Sequence, residues 1–137
     1  MRRSLALALV LLLPMLVACD GDPAGPDTSH VGVYQLTSVN GMAVPLSFPD
    51  DGAIVTVVEG SLTLGGSGTF SLEIDLEITE DGQTADETVN VSGSYTKSGN
   101  TLTFDHADED GGFATATLSG DVLTTTGGDG EVIVFEK

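Results

Sequence analysis

Residues 69–79 read TFSLEIDLEIT and alternate strictly between apolar and polar side chains. Successive side chains of an extended strand point to opposite faces, so a period of two separates them into two sets. The apolar set is Phe70, Leu72, Ile74, Leu76 and Ile78, and the acids of the other set are Glu73, Asp75 and Glu77. The segment therefore predicts a β-strand with one face in a core and the other in water.

Short segments rich in valine, isoleucine, threonine and aromatic residues occur on both sides of this strand. Glycine-containing turns separate them, which is the pattern of an all-β domain. Residues 31–39 and 131–136 are predicted to be the first and last strands. Asn40-Gly41, which follows the first strand, is a strong hairpin signal because both residues tolerate a positive φ. The domain therefore begins and ends in strands, with no helical pattern between them.

Three details of register follow from the same reasoning. In residues 53–64 the spacing places Ile54, Val58, Leu62 and Leu64 on one face, and Gly60 on that face predicts a bulge. Two hairpins look alike, with Ser98-Gly99 and Ser119-Gly120 at their turns. If each of these dipeptides is a two-residue turn, the expected cross-strand pairs are Tyr95 with Leu102, Gly93 with Phe104, and Ala116 with Leu123.

These elements predict an all-β fold, an antiparallel up-and-down meander of eight or nine short strands joined mainly by tight turns. A long meander hides its edges best by closing on itself. A small barrel over residues 31–137 is the predicted architecture, and an open half-barrel or a sandwich is the alternative.

The chain begins with a different kind of segment. Arg2 and Arg3 precede an apolar stretch that ends in small residues, the order of a secretory signal. The run is shorter than the roughly 20 residues that span a bilayer. Leu16-Val17-Ala18-Cys19 resembles the lipobox of bacterial lipoproteins, and Cys19 is the only cysteine. The resemblance implies removal of residues 1–18, acylation of Cys19 and anchoring in a membrane by several acyl chains.

The charge of the mature chain is extreme. Beyond residue 18 only Lys97 and Lys137 oppose 21 acidic residues, which leaves a net charge of −19 without the histidines. So acidic a chain repels nucleic acids and anionic lipid surfaces, and nucleic-acid binding is excluded. Residues 19–30, the lipidated cysteine and a segment rich in proline, glycine and aspartate, are predicted to be a flexible tether in which His30 is solvated.

The first strand also carries a resemblance. Val31-Gly32-Val33-Tyr34-Gln35-Leu36, together with the turn SGNTLTF at residues 98–104, is similar to small bacterial lipocalin-like lipoproteins. The resemblance implies a barrel in which Tyr34 plugs one end, although no basic residue in the sequence is evidently placed to pack over it. It also implies an interior that accepts a small apolar ligand. No cofactor is expected. The expected lining is Tyr34, Leu36, Phe70, Leu72, Ile74, Tyr95, Leu102 and Phe104.

Little in the chain suggests catalysis. A nucleophile–histidine arrangement needs a histidine held by a third group, and the two histidines lie in the tether and in an acidic loop. The alternating acids of residues 73–77 belong to a solvated face and are not an acid–base pair. The protein is expected not to be an enzyme. The acidic loop makes Asp105, Asp108 and Asp110 weak candidates for calcium, but the full ligand set of a calcium loop is missing.

Two functions remain open at this point. Either the barrel binds a small apolar ligand, or it is filled by its own side chains and contacts another envelope protein through its acidic surface. In both cases the expected location is the bacterial cell envelope, with the lipid anchor in the outer membrane or in the inner membrane facing the periplasm.

Overall fold

The structure, a computed structural model, describes residues 27–106 and 113–137. The predicted signal segment, Cys19 and most of the tether therefore lie outside the described residues, as do Asp108 and Asp110. The ten strands, in chain order, are β1 (Gly32–Val39), β2 (Met42–Ala43), β3 (Leu46–Asp50), β4 (Ala53–Leu64), β5 (Thr69–Glu80), β6 (Gln83–Ser98), β7 (Thr101–His106), β8 (Thr115–Ser119), β9 (Val122–Thr126) and β10 (Val132–Glu136).

Eight of these strands form a closed antiparallel barrel, which confirms the predicted fold class. Strands β4 to β10 pair consecutively, and β1 closes the circle because it pairs with β10 on one side and with β4 on the other. The two extra strands, β2 and β3, lie in the connection between β1 and β4. Closure leaves the barrel wall without free edges where all eight strands run together.

The wall is not of uniform height. The first half of β4, the second half of β5 and the first half of β6 pair with one another and with β3, but not with β1 or β7. We call this four-stranded part, residues 46–57 and 75–89, the extension. It gives the molecule two ends that differ in structure.

The predicted strand at residues 69–79 has the expected faces. Phe70 and Leu72 are buried, and Ile74 and Leu76 pack against the core. Glu73 and Glu77 are exposed on the opposite face, and Asp75 is partly exposed. The strand runs uninterrupted against β6, so a period of two is maintained over its whole length.

Strand β4 departs from its predicted face. A register shift lies between Val57 and Glu59, directly before Gly60. The bulge was predicted, but its effect on the preceding residues was not: Ile54 is 51% exposed, whereas Val57 is buried. Placing Ile54 and Val58 on the same face as Leu62 was wrong because one extra residue inverts the faces of the strand before the bulge.

The predicted turns of the two similar hairpins were also wrong by one residue. Their turns are Gly99-Asn100 and Gly120-Asp121, one residue later than expected. Each has a glycine with φ near 60° at its first central position, where a type II′ turn requires one. The pairs in the structure are therefore Tyr95 with Phe104, Gly93 with His106, and Ala116 with Thr125.

Candidate functional site

One end of the barrel is covered by the residues that precede β1. We call Asp27–Val31 the cap. The Tyr34 hydroxyl donates a hydrogen bond of 2.8 Å to the His30 carbonyl, and the Tyr95 hydroxyl donates one of 2.8 Å to the Gly65 carbonyl. The Nε2 atom of His30 lies 3.0 Å from the Tyr95 hydroxyl oxygen. Because the single proton of Tyr95 is given to Gly65, the imidazole must donate from Nε2.

This arrangement differs from the sequence prediction for His30. The ring is half-buried and lies edge-on to Tyr95, with 5.8 Å between ring centroids. It is therefore a packed residue of the cap, not a solvated tether residue. Burial raises the pKa of both Tyr34 and Tyr95 above the ordinary value, so the two hydroxyls stay protonated and act as donors at neutral pH.

Both lysines of the sequence bind the cap. The Nζ atom of Lys137 donates to the carbonyls of Ser29 and Val31, at 2.8 Å each. Lys97 forms a salt bridge of 3.1 Å with Asp27. Hydrogen bonds from the side chain of Ser29, and then from Lys97, hold the pKa of Asp27 well below its usual range. The charges of Lys97 and Lys137 are thus both used at this end of the molecule.

Lys137 also packs over Tyr34, where the sequence alone did not indicate a basic residue. Its Nζ atom lies 5.8 Å from the centroid of the Tyr34 ring, within the range of a cation–π interaction. Gly32 has a φ of +145°, and a Cβ there would stand 2.7 Å from the Lys137 side chain. Glycine at this position therefore leaves room for the lysine. Lys137 is far from Tyr34 in the sequence, so no local pattern could identify this contact.

The barrel interior is filled by side chains. Seven of the eight expected lining residues are buried members of the core, and Ile74 packs against it. The Phe104 ring lies 4.9 Å from the rings of both Phe70 and Phe113 in edge-to-face contacts. Tyr34, Leu102 and Phe135 have no exposed surface. The residues expected to line a cavity thus contact one another.

Two small hollows lie on the described part of the chain. Their volumes are about 130 and about 160 Å³, whereas pockets for small molecules usually exceed about 300 Å³. The smaller one is polar and is lined by Gln35, Gly60, Ser61 and three carboxylates, those of Glu59, Glu73 and Asp75. The larger one is lined by Thr63, Gly65, Thr69, Phe70 and Ser71.

The outer surface of β4, β5 and β6 concentrates negative charge. The register places Glu59 directly opposite Asp75 and Glu77 directly opposite Asp86. Like charges in such positions destabilise a sheet by a few tenths to about 1 kcal/mol. With Glu73 beside them, these residues form what we call the acidic face: Glu59, Glu73, Asp75, Glu77 and Asp86. The Thr88 hydroxyl donates a hydrogen bond of 2.7 Å to the Asp75 carboxylate of this face.

A metal site receives no support from the described residues. Among them, no group of three histidine, cysteine, aspartate or glutamate side chains is arranged to hold a metal ion. Of the three weak calcium candidates only Asp105 is described, and it is exposed at the end of β7. Within residues 27–106 and 113–137, no helix is long and apolar enough to cross a membrane.

Sequence comparison adds no relatives to this picture. No protein-family model matches the chain, and no curated protein matches it in sequence. The filled barrel, its cap and the acidic face are therefore the basis for the proposed function.

Proposed function

We propose that this protein is a membrane-anchored envelope lipoprotein whose filled barrel is a protein-interaction module and works through the acidic face. The observation that carries the proposal is the combination of a core packed with side chains and an outer face with opposed carboxylates. The packed core leaves little room for a ligand. The outer face concentrates charge where a partner can reach it.

The interior is the reason to prefer this function over binding of an apolar molecule. A ligand in the barrel would have to displace buried side chains such as Phe70 and Phe104, whose ring centroids are 4.9 Å apart. The resemblance to lipocalin-like lipoproteins implies ligand binding, and that part of it stays a prediction. The close packing of the aromatic residues supports the alternative, a filled barrel.

The charge distribution supports a partner that is basic. Both lysines bind the cap, so the acidic face has no lysine or arginine of the mature chain to neutralise it. A basic surface of another protein would relieve the repulsion between Glu77 and Asp86 and would be attracted from a distance. An acidic or neutral partner would gain neither advantage.

The cap also suggests how the barrel is oriented. Asp27 is eight positions after Cys19, and at roughly 3.3–3.6 Å per position this stretch reaches at most about 29 Å. If Cys19 is the lipid anchor, the capped end faces the membrane at no more than that distance. The extension is then directed away from the bilayer, towards soluble or opposite-membrane partners.

Photo-crosslinking in intact cells tests the proposal. We expect a photoreactive residue at position 90, exposed beside Glu73 on the outer side of β6, to yield a discrete crosslinked product with another protein. Neutralising four acids of the acidic face (E59Q, D75N, E77Q and D86N) should reduce that product at least tenfold. Electrostatic recognition requires those charges, while the substitutions preserve side-chain size.

The matched control is position 117 on β8, which is equally exposed but lies opposite Thr101 and Thr124 on an uncharged part of the wall. It should give no comparable product. Equal crosslinking from positions 90 and 117, or a product at position 90 that survives neutralisation, would contradict recognition by the acidic face.

A further inference from the structure

The extension has two edge strands, and they are protected to different degrees. Strand β3 is five residues long and contains Pro49, which has no backbone N–H to offer to another strand. Strand β6 is different. No described strand pairs with the outer side of Gln83–Val89, and this segment contains no proline, glycine or bulge. Of the two edges, only that of β6 keeps a regular backbone available.

The turn before β6 determines which backbone N–H and C=O groups of this strand point away from β5. Asp81 and Gly82 have φ of 53° and 77° and form a two-residue turn between Glu80 and Gln83. In such a hairpin the residues that flank the turn are hydrogen-bonded to each other, and the bonding then alternates along the strand. Thr84, Asp86 and Thr88 therefore direct their N–H and C=O groups away from β5, towards the open edge.

The two faces beside this edge have different chemistry. On the outer face Asp86 lies opposite Glu77, and Thr88 lies opposite Asp75. On the inner face Ala85 lies opposite Ile78, Glu87 lies opposite Leu76, and Val89 lies opposite Ile74. A strand added to the edge would thus place one set of side chains beside the outer carboxylates, and the alternate set beside a face that is apolar except for Glu87.

A second copy of this chain is a poor occupant for the edge. Two β6 edges paired with each other would bring Asp86 and Glu87 of both copies close together, in a molecule that already carries 21 acids. The same charges favour a strand with lysine or arginine on its outward positions. Charge complementarity therefore selects a basic occupant.

We infer that the edge of β6 at Gln83–Val89, with which no described strand pairs, binds an extended segment of a partner protein in which basic and apolar residues alternate. The segment adds a strand to the extension, and its backbone pairs with Thr84, Asp86 and Thr88. Its basic side chains lie over the acidic face. This inference rests on the proposed interaction function and specifies how the partner is held.

The test uses the full-length lipidated protein in phosphatidylcholine nanodiscs and two blocked peptides of equal charge, (Lys-Val)5 and (Lys-Gly)5. Binding is measured by fluorescence anisotropy at physiological salt, with empty nanodiscs subtracted. We expect (Lys-Val)5 to bind at least tenfold more tightly, because it forms strands readily and its valines meet the inner face. T88P should reduce its affinity to that of (Lys-Gly)5.

The control variant is T88V. Both substitutions remove the hydroxyl that bonds to Asp75, but only proline removes the outward N–H. T88V should bind (Lys-Val)5 within twofold of the unmodified protein. T84P and T84V form a second pair at the same edge, used in the same way if T88P does not fold by circular dichroism.

The outcomes separate the inference from the function on which it rests. If the proline and valine variants lose affinity equally, or if the two peptides bind equally, strand addition is wrong while recognition by the acidic face stands. If neither peptide binds, the interaction function fails as well. A dimer of the free protein that T88P dissolves would assign the edge to a second copy and would also overturn the inference.

Discussion

Replacing Phe135 with alanine is expected to lower the free energy of unfolding by about 3–5 kcal/mol, the usual cost of removing a buried aromatic ring. The ring has no exposed surface and lies on β10 between Leu36 of β1 and Leu123 of β9. Because β10 joins the strand that closes the barrel, a void there affects both neighbouring strands. The thermal midpoint should fall by at least about 10 °C.

Val132→Ala is the matched control for this change. Val132 lies on the same strand but is 44% exposed, so its truncation should cost less than about 0.5 kcal/mol. Chemical denaturation of the three proteins measures the difference. A loss of less than 1 kcal/mol for Phe135→Ala would show that the ring borders open space, which would contradict a filled interior.

Cys19→Ser is expected to abolish lipid attachment. The lipobox resemblance implies that the thiol receives the diacylglyceryl group before residues 1–18 are removed, and a serine hydroxyl lacks the nucleophilic thiolate character that such chemistry uses. Incorporation of a labelled fatty acid should fall to background, and residues 1–18 should remain on the protein. Intact-protein mass spectrometry reports both changes at once.

Ala18→Gly provides the comparison, because it keeps a small residue directly before the cysteine. This variant should be lipidated and processed like the unmodified chain. Retention of acyl groups in Cys19→Ser, or cleavage before position 19 without the thiol, would contradict the lipoprotein interpretation of the N-terminus. The stability of the barrel, which begins after the cap, should not change in either variant.

The sequence predicted the elements of the fold better than their details. Residues 53–64 were predicted as one strand and β4 has those bounds, while the alternation in residues 69–79 located both faces of β5. Both predictions rest on local patterns of apolar residues. Such patterns are informative in a sheet with one buried face, because every second residue must be apolar.

Details that depend on a single residue were predicted less well. The bulge before Gly60 exchanges the faces of the first half of β4, and its position can only be known once β5 is in register. The turns at Gly99 and Gly120 start at the glycine and not at the preceding serine. Long-range pairing with β5 selects the position of the bulge, whereas the register of each hairpin follows from a type II′ turn, which places glycine at its first central position.

Most contacts of the cap and of the acidic face could not be predicted from the sequence. The cap depends on contacts of Lys137 and Lys97 with residues far away in the chain, and no local pattern predicts them. The alternation in β5 did place Glu73, Asp75 and Glu77 on the outside. Recognising that Glu59 and Asp86 lie directly opposite two of them required the register of three strands.

We propose above that the barrel is filled by its own side chains and acts through its outer surface. Native mass spectrometry of the full-length protein, extracted from the membranes of its own host in mild detergent, tests that claim most directly. We predict the mass of residues 19–137 with the covalent acyl groups and with no small molecule bound. An additional small molecule that is released intact on collisional activation, and that binds again to the apo protein, would contradict the claim and favour a ligand-binding barrel.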